Sequence, residues 1–208
     1  MAEQQYHPRA KQARSVKTEQ ALLDALERLL VHQSFAELTV SELAREAGLT
    51  TGAIYRRFKD KADLLRAAFD RFYDRSKEIT VEHEHDYPSS MTDEKVLKKY
   101  LLNLLDFTLA HIHLMRAANH IDDAHSFDRM VSARTASADW LATRLQSSKY
   151  QGEELRTRCR FVLRVATATY RDTFLTGLGT SERHKSNSEI NKLVKELSKI
   201  ADQYLGIR

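Results

Sequence analysis

The chain has 208 residues, of which 42% are hydrophobic and 30% are charged, with a formal net charge of +4. This composition is too apolar for a disordered chain, and the length suits one domain or two small ones. Only 6 Gly and 2 Pro are present, which disfavours all-β folds and Gly-rich nucleotide-binding folds. A single cysteine excludes an internal disulfide, and no run approaches the roughly 20 apolar residues of a membrane span. We therefore expect a helical, soluble, cytoplasmic protein without membrane contacts.

The first third of the chain predicts four helices separated by short breaks. Residues 18–33 carry apolar side chains at helical spacing and predict the first helix. Thr39 is positioned to cap the second helix, with Glu42 as its capping-box partner. Gly48 follows where a left-handed residue would end that helix, and Thr50 is positioned to cap a short third helix. A longer fourth helix is expected to begin after Asp60.

The rest of the chain predicts a larger all-α body. Pro88, Ser89 and Ser90 make residues 83–91 the clearest break after the fourth helix. Beyond this break, helical patterns indicate four long helices, at residues 93–119, 126–149, 153–178 and 188–204. The predicted architecture is thus a small helical head followed by a helical body.

The second and third helices have the proportions of a DNA-binding helix-turn-helix. If Ile54 and Phe58 face the core, the opposite face carries two pairs of residues that are each one helical turn apart. These pairs are Thr51 with Tyr55 and Gly52 with Arg56. Small residues at the start of the third helix would let it enter a major groove. The alternative is a compact three-helix head with small polar residues and no DNA-binding role.

The segment EAGLTTGAIYRRFKDKADLL resembles the TetR family of bacterial transcriptional regulators. The resemblance implies a three-helix helix-turn-helix domain at residues 18–65, a basic arm at 1–17, and a helical effector-binding and dimerisation domain at 66–208. It places Thr39, Tyr55 and Lys61 at DNA phosphates and Arg56 at a guanine. The basic residues of the arm could enter the minor groove or form a disordered leader. The candidate DNA-binding residues are Thr39, Ser41, Thr50, Thr51, Gly52, Tyr55, Arg56 and Lys61.

The last two helices carry apolar stripes that need a packing partner. In the TetR family such a terminal pair forms a four-helix interface between two protomers, whereas periodicity alone also allows an intramolecular core. We therefore expect a homodimer. The candidate dimer-interface residues are Val165, Thr169, Ile190, Val194, Leu197 and Ala201.

Aromatic side chains on the body helices suggest an effector pocket, although such stripes can also be core. The stripe on the helix at 93–119 holds Tyr100, Leu104 and Phe107. Arg164 could anchor an acidic effector or simply face solvent. The candidate effector-binding residues are Phe107, His111, Trp140, Tyr170 and Phe174.

These features predict a dimeric, ligand-responsive transcriptional regulator that binds double-stranded DNA. We expect a repressor, released from a palindromic operator by a small, mainly apolar effector. The alternative is a DNA-binding protein of the same fold that a protein partner controls. The histidine spacings do not indicate a metal site, and no cofactor is expected. An enzyme is disfavoured because the sequence lacks a nucleophile–base pair and a Gly-rich phosphate loop.

Overall fold

The computed structural model describes residues 8–82, 84–121, 123–176 and 187–207. This part of the chain is helical and contains no β-strand. Short 3₁₀ turns lie at Glu84–Asp86 and Ala117–His120, and a π turn lies at Asp172–Thr176. No helix within these ranges is long and apolar enough to span a bilayer. The α-helices are α1 (Pro8–Leu30), α2 (Val40–Glu46), α3 (Thr51–Tyr55), α4 (Lys61–Glu82), α5 (Asp93–Ala110), α6 (Ile112–Arg116), α7 (Ala124–Arg144), α8 (Gly152–Arg171) and α9 (Asn187–Leu205).

Helix α1 begins at Pro8, earlier than the expected start at residue 18. Proline suits the first turn of a helix because that turn needs no amide donor. Residues 8–17 are continuous with α1, so the helix begins before the expected boundary, and a DNA-binding arm at the N-terminus stays a prediction. Residues 1–7 of the expected arm, and the side chains of Arg9, Lys11 and Arg14, lie outside the described residues.

The head is held by one apolar core that α1, α2, α3 and the first half of α4 share. Leu22, Leu26 and Leu43 are fully buried there, and Ile54 of α3 is nearly so. The same core continues along α4 and takes in Leu114 of α6. The head is thus packed against the body through shared side chains.

The body has a second core, formed mainly by α5, α7, α8 and α9. Its fully buried members include Leu101 of α5, Leu141 of α7, Tyr170 of α8 and Val194 of α9. Helix α7 also packs along α4, so the body flanks the helix that leaves the head.

The helix expected at residues 93–119 is interrupted at His111. This residue has φ −114° and ψ 19°, outside the helical region, and it separates α5 from α6. The His111 ring Nδ1 lies 2.9 Å from the Phe107 carbonyl oxygen, the group to which a continuing helix would direct the His111 amide. The side chain therefore takes the place of a backbone hydrogen bond, which is a common cause of a helix break.

Candidate DNA-binding surface and body cavity

Two reciprocal hydrogen bonds fix the start of α2. The Glu42 amide donates to Thr39 Oγ1 at 3.2 Å, and the Thr39 amide donates to the Glu42 carboxylate at 2.8 Å. This is the predicted capping box. The hydrogen bonds from the Thr39 hydroxyl and amide hold the pKa of Glu42 below its usual value.

The turn after α2 requires glycine. Gly48 has φ +65°, its amide donates to the Arg45 carbonyl at 3.2 Å, and the Leu49 amide donates to the Ala44 carbonyl at 2.8 Å. These bonds form a Schellman motif, which a left-handed residue completes. A side chain at residue 48 would have open space around it but would strain the backbone.

Helix α3 presents one exposed face, as its spacing predicts. The Ala53 amide donates to Thr50 Oγ1 at 3.2 Å, which confirms Thr50 as the cap. Ala53 and Ile54 are buried, whereas the residues on the other side of the helix are exposed, and Tyr55 is 58% exposed. Ser41 and Thr39 are also exposed, at the start of α2. Seven of the candidate DNA-binding residues are exposed on the helix-turn-helix, and these are Thr39, Ser41, Thr50, Thr51, Gly52, Tyr55 and Arg56.

Two neighbouring arginines have different environments. Arg57 Nη1 and Nη2 donate to Ser15 Oγ at 2.9 and 2.8 Å, so this side chain ties the end of α3 to α1. Arg56 is exposed, and its guanidinium has no hydrogen-bonding partner among the described residues. Of the two, only Arg56 leaves its whole guanidinium group available to DNA.

The Lys61 side chain was expected to contact a DNA phosphate, but its ammonium is bonded within the head. Its ammonium Nζ donates to the carbonyl oxygens of Phe35 and Leu38 at 2.7 Å each, and to that of Ala36 at 3.2 Å. It also lies 4.6 Å from the centre of the Phe35 ring. An ammonium has three donors, and all three are engaged within the head. The structure therefore gives Lys61 a stabilising role in the loop before α2.

A cavity of about 130 Å³ lies in the body between α4, α5, α7 and α8. Its walls are mainly aromatic and aliphatic. Four of its residues belong to α4, the helix that begins in the head, and these are Phe69, Phe72, Tyr73 and Ser76. The principal lining residues from other helices are Tyr100, Leu104, Phe107, Met115, Met130, Arg134, Leu163, Thr167 and Arg171.

Only one of the five candidate effector residues lines this cavity, and that residue is Phe107. His111 packs behind it, with ring centres 4.4 Å apart. Trp140 stacks on Tyr100 at 5.7 Å and meets Tyr87 edge-on at 5.0 Å.

The remaining two candidates also lie away from the cavity. The Tyr170 side chain is fully buried, and its hydroxyl donates to the Leu101 carbonyl at 2.9 Å. Burial raises the pKa of this phenol. Phe174 packs against the body core instead of the cavity. Tyr170 of α8 and Phe174 of the following π turn therefore pack in or against the core, which corrects the expectation that they bind the effector.

The sequence analysis missed Arg134 and Arg171 as cavity residues. Both line the cavity, and neither has an ion-pair or hydrogen-bond partner within the described ranges. A signal for Arg134 was present in the sequence, because it lies one helical turn after Met130 on a face that also carries Ala133 and Ser137. Arg164, the arginine considered earlier, is exposed and does not line the cavity.

The candidate dimer-interface residues lie in three different environments. Val165, Leu197 and Ala201 lie in a shallow groove between α8 and α9, whereas Val194 is fully buried in the core of its own protomer. Thr169 and Ile190 are half-buried and lie outside the groove.

The exposed apolar side chains of this face are different residues. They are Phe161, Ile200 and Tyr204, exposed by 50%, 62% and 37%. The rings of Phe161 and Tyr204 lie 5.1 Å apart. We name Phe161, Ile200 and Tyr204 the α8–α9 patch. Within the described ranges, no group of three His, Cys, Asp or Glu residues could hold a metal ion.

Residues 22–68 match the family model described as bacterial regulatory proteins, tetR family. The chain is 32% identical over 93 residues to the transcriptional regulator AcrR of Shigella flexneri, covering 45% of this chain and 42% of that protein. It is 28% identical over 92 residues to the transcriptional repressor BepR of Brucella suis, covering 43% and 44%. The chain thus spans less than half the length of these relatives.

A solved structure of a TetR-family regulator from Mesorhizobium loti shares the fold, with a TM-score of 0.71 and 14% identity. The match covers 93% of this chain and 99% of that one. The relatives are named as transcriptional regulators, which agrees with the expectation that the chain is not an enzyme.

Proposed function

Because the chain belongs to the TetR family of bacterial regulatory proteins, we propose that it is a dimeric transcriptional repressor, released from a palindromic operator by a small, mainly apolar effector. The exposed face of α3 carries the DNA-binding part of this proposal. Thr51, Gly52, Tyr55 and Arg56 lie on one surface that caps and buried side chains hold in place. The name of the relative BepR supports the repressor role.

The chemistry of that surface divides its residues between bases and phosphates. The Arg56 guanidinium is the group that can bond O6 and N7 of one guanine together. Thr51, Gly52 and Ser41 lie beside it at the bases. The hydroxyls of Thr50 and Tyr55 contact backbone phosphates, which position the head without specifying sequence. Thr39 lies next to a phosphate as the cap of α2, with its hydroxyl donating to the Glu42 carboxylate at 2.7 Å.

The dimer forms through the α8–α9 patch. Phe161, Ile200 and Tyr204 leave apolar surface exposed in the single protomer, next to the groove that holds Val165, Leu197 and Ala201. A two-fold copy would bury this surface. It would also present two heads to half-sites about 34–36 Å apart or a multiple of that distance.

Helix α4 couples the cavity to the head. It has 22 residues and is therefore about 33 Å long. Leu64 and Leu65 pack in the core of the head, while Phe72 and Ser76 of the same helix line the cavity. A ligand that tilts α4 would move the recognition helices out of register with successive grooves. By linkage, DNA must weaken ligand binding by the same factor as ligand weakens DNA binding.

The test begins with genome-wide mapping of bound sites, which defines the operator and narrows the effector through the adjacent genes. Effector affinity is then measured with and without operator DNA. A tenfold loss of DNA affinity requires about 1.4 kcal/mol of coupling, so effector affinity should fall tenfold on operator. Equal effector affinities in the two titrations would refute the release mechanism and leave DNA binding intact.

The alternative, control by a protein partner, makes a different prediction for the cavity. Leu104 is half-buried on the cavity wall. A Leu104→Trp variant fills the cavity and should abolish release by a small effector, whereas release by a protein bound elsewhere would persist. Loss of effector response with unchanged operator binding therefore favours the small-molecule mechanism.

A further inference from the structure

Several arginines of the body helices are paired with carboxylates. Arg129 of α7 donates to Asp70 at 3.0 Å and to Asp74 at 2.7 Å. Arg158 of α8 bonds Glu154 at 3.2 Å. By contrast, the half-buried Arg134 and the exposed Arg171 line a mainly apolar cavity and have no acidic partner in the described part of the chain.

The missing counter-charge is reflected in the pKa values of the side chains on this wall of the cavity. Arg134 is half-buried, and burial followed by repulsion from Arg164 and Arg171 lowers its pKa. Tyr73 lies on the facing helix α4, where burial raises the pKa of its phenol while the charges of Arg171 and Arg134 oppose that rise. Arg134 and Arg171 therefore make the part of the cavity wall near Tyr73 positively charged.

The carboxylate of Asp70 does not neutralise these two arginines. Asp70 acts on Tyr73 electrostatically, but its carboxylate already accepts from Arg129, and its Oδ1 lies 3.1 Å from His125 Nε2. Hydroxyl groups around the arginines donate to their own helices instead. Thr167 Oγ1 donates to the Leu163 carbonyl at 2.8 Å, and Thr108 Oγ1 donates to the Leu104 carbonyl at 2.7 Å.

Most of the remaining cavity wall is apolar, and it includes Phe69, Phe72, Phe107, Met115 and Met130. At about 130 Å³ the cavity is close in size to one that holds a single aromatic ring. It could hold a ligand with one ring or a short alkyl chain, whose polar group would lie at the arginines.

We propose that the effector cavity takes an amphipathic anion, whose apolar part packs against the phenylalanines and methionines and whose carboxylate or similar head group bonds Arg134 and Arg171. This inference rests on the proposed function and specifies its ligand class. Planar guanidinium groups bind carboxylates through paired hydrogen bonds. A neutral molecule of the same shape would leave the half-buried Arg134 without a counter-charge.

The test compares octanoate with 1-octanol and octylamine, which share one alkyl chain and differ in head group. Trp140 is the only tryptophan and stacks on Tyr100, a cavity residue, so its fluorescence reports occupancy. We expect octanoate to bind at least tenfold more tightly than 1-octanol, and octylamine to bind most weakly. Equal affinities for octanoate and 1-octanol, or no binding of octanoate, would overturn the proposal.

The variants Arg134→Met and Arg171→Met should remove the preference for octanoate and leave 1-octanol affinity unchanged. Arg134→Lys should retain part of the preference because it keeps the charge. Arg156→Met is the matched control, since Arg156 lies at the other end of α8 from Arg171 and pairs with Glu153. A preference that survives both arginine variants would overturn the proposal.

Operator titrations separate this inference from the proposed function. Octanoate binding that depends on Arg134 but does not weaken operator binding would support the anion site and refute the release mechanism. Release of the operator by 1-octanol at the same concentration as octanoate would support the release mechanism and overturn the anionic ligand class.

Discussion

Replacing Lys61 tests whether its ammonium serves the head or the DNA. In the free protein Nζ donates to three carbonyls, and two of these bonds are partly buried. A Lys61→Met variant keeps the aliphatic stem and leaves the carbonyls of Phe35, Ala36 and Leu38 without this donor. Bonds to charged groups contribute about 1.5–3 kcal/mol each when well buried. Because this site is only half-buried and the three bonds share one ammonium, we expect a total loss of about 2–3 kcal/mol.

The assay is urea unfolding of the full chain followed by circular dichroism, with Lys59→Met as the control. Lys59 is exposed, and its side chain has no hydrogen-bonding partner in the described ranges, so the control removes the same charge at a cost within about 0.5 kcal/mol. Operator affinity is measured against salt in parallel. Unchanged stability, together with a salt slope that falls by about 0.9, would show that Lys61 binds phosphate and would refute the structural role.

Three further predictions concern other surfaces. Arg56→Ala should lower discrimination at one base position by about 1–3 kcal/mol in binding assays with single-base variants of the operator, and equal losses on specific and random DNA would make Arg56 a backbone contact. Ile200→Glu should convert the dimer to a folded monomer, measured by sedimentation velocity. Leu197→Glu should also destabilise the protomer, because Leu197 is buried. A stable Ile200→Glu dimer would place the interface elsewhere. Burial, followed by repulsion from Glu94, raises the pKa of Asp202 to about 6. Because the folded state then disfavours the charged carboxylate, the free energy of unfolding should fall as pH rises from about 4 to 6. The Asp202→Asn variant should be more stable than the parent by about 1–2 kcal/mol at pH 7 and equally stable near pH 3. A gain that is equal at both pH values would contradict that origin.

The sequence predicts the head well because its signals are local. The capping box of Thr39 and Glu42, the left-handed Gly48 and the cap at Thr50 each depend on residues within a few positions. A hydrogen bond between near neighbours forms in the same way whatever packs beyond it, so spacing alone identifies it. The exposed face of α3 follows from these caps and the burial of Ile54.

The body was less predictable because its geometry depends on which helices face each other. Phe107 and Tyr170 both lie on aromatic stripes, yet Phe107 lines the cavity and Tyr170 is sealed in the core by its bond to Leu101. Periodicity identifies a buried face but does not say whether a side chain or a void lies opposite. The break at His111 was missed for a related reason, since a ring that contacts a backbone carbonyl leaves helical spacing unchanged.

The proposed coupling between ligand binding and DNA binding depends on the core that the head shares with the body. The domain boundary proposed at residue 65 falls within a continuous apolar cluster that runs from Leu22 to Phe72 and on to Leu114. Phe72 belongs to this cluster and also lines the cavity. Close-packed side chains transmit a displacement because few voids exist to absorb it. A ligand that moves Phe72 must therefore move α4 or repack the core of the head, and either response reaches Ile54 behind the recognition surface. A flexible linker between two separate cores would lack this property, so the coupling depends on α4 belonging to both domains.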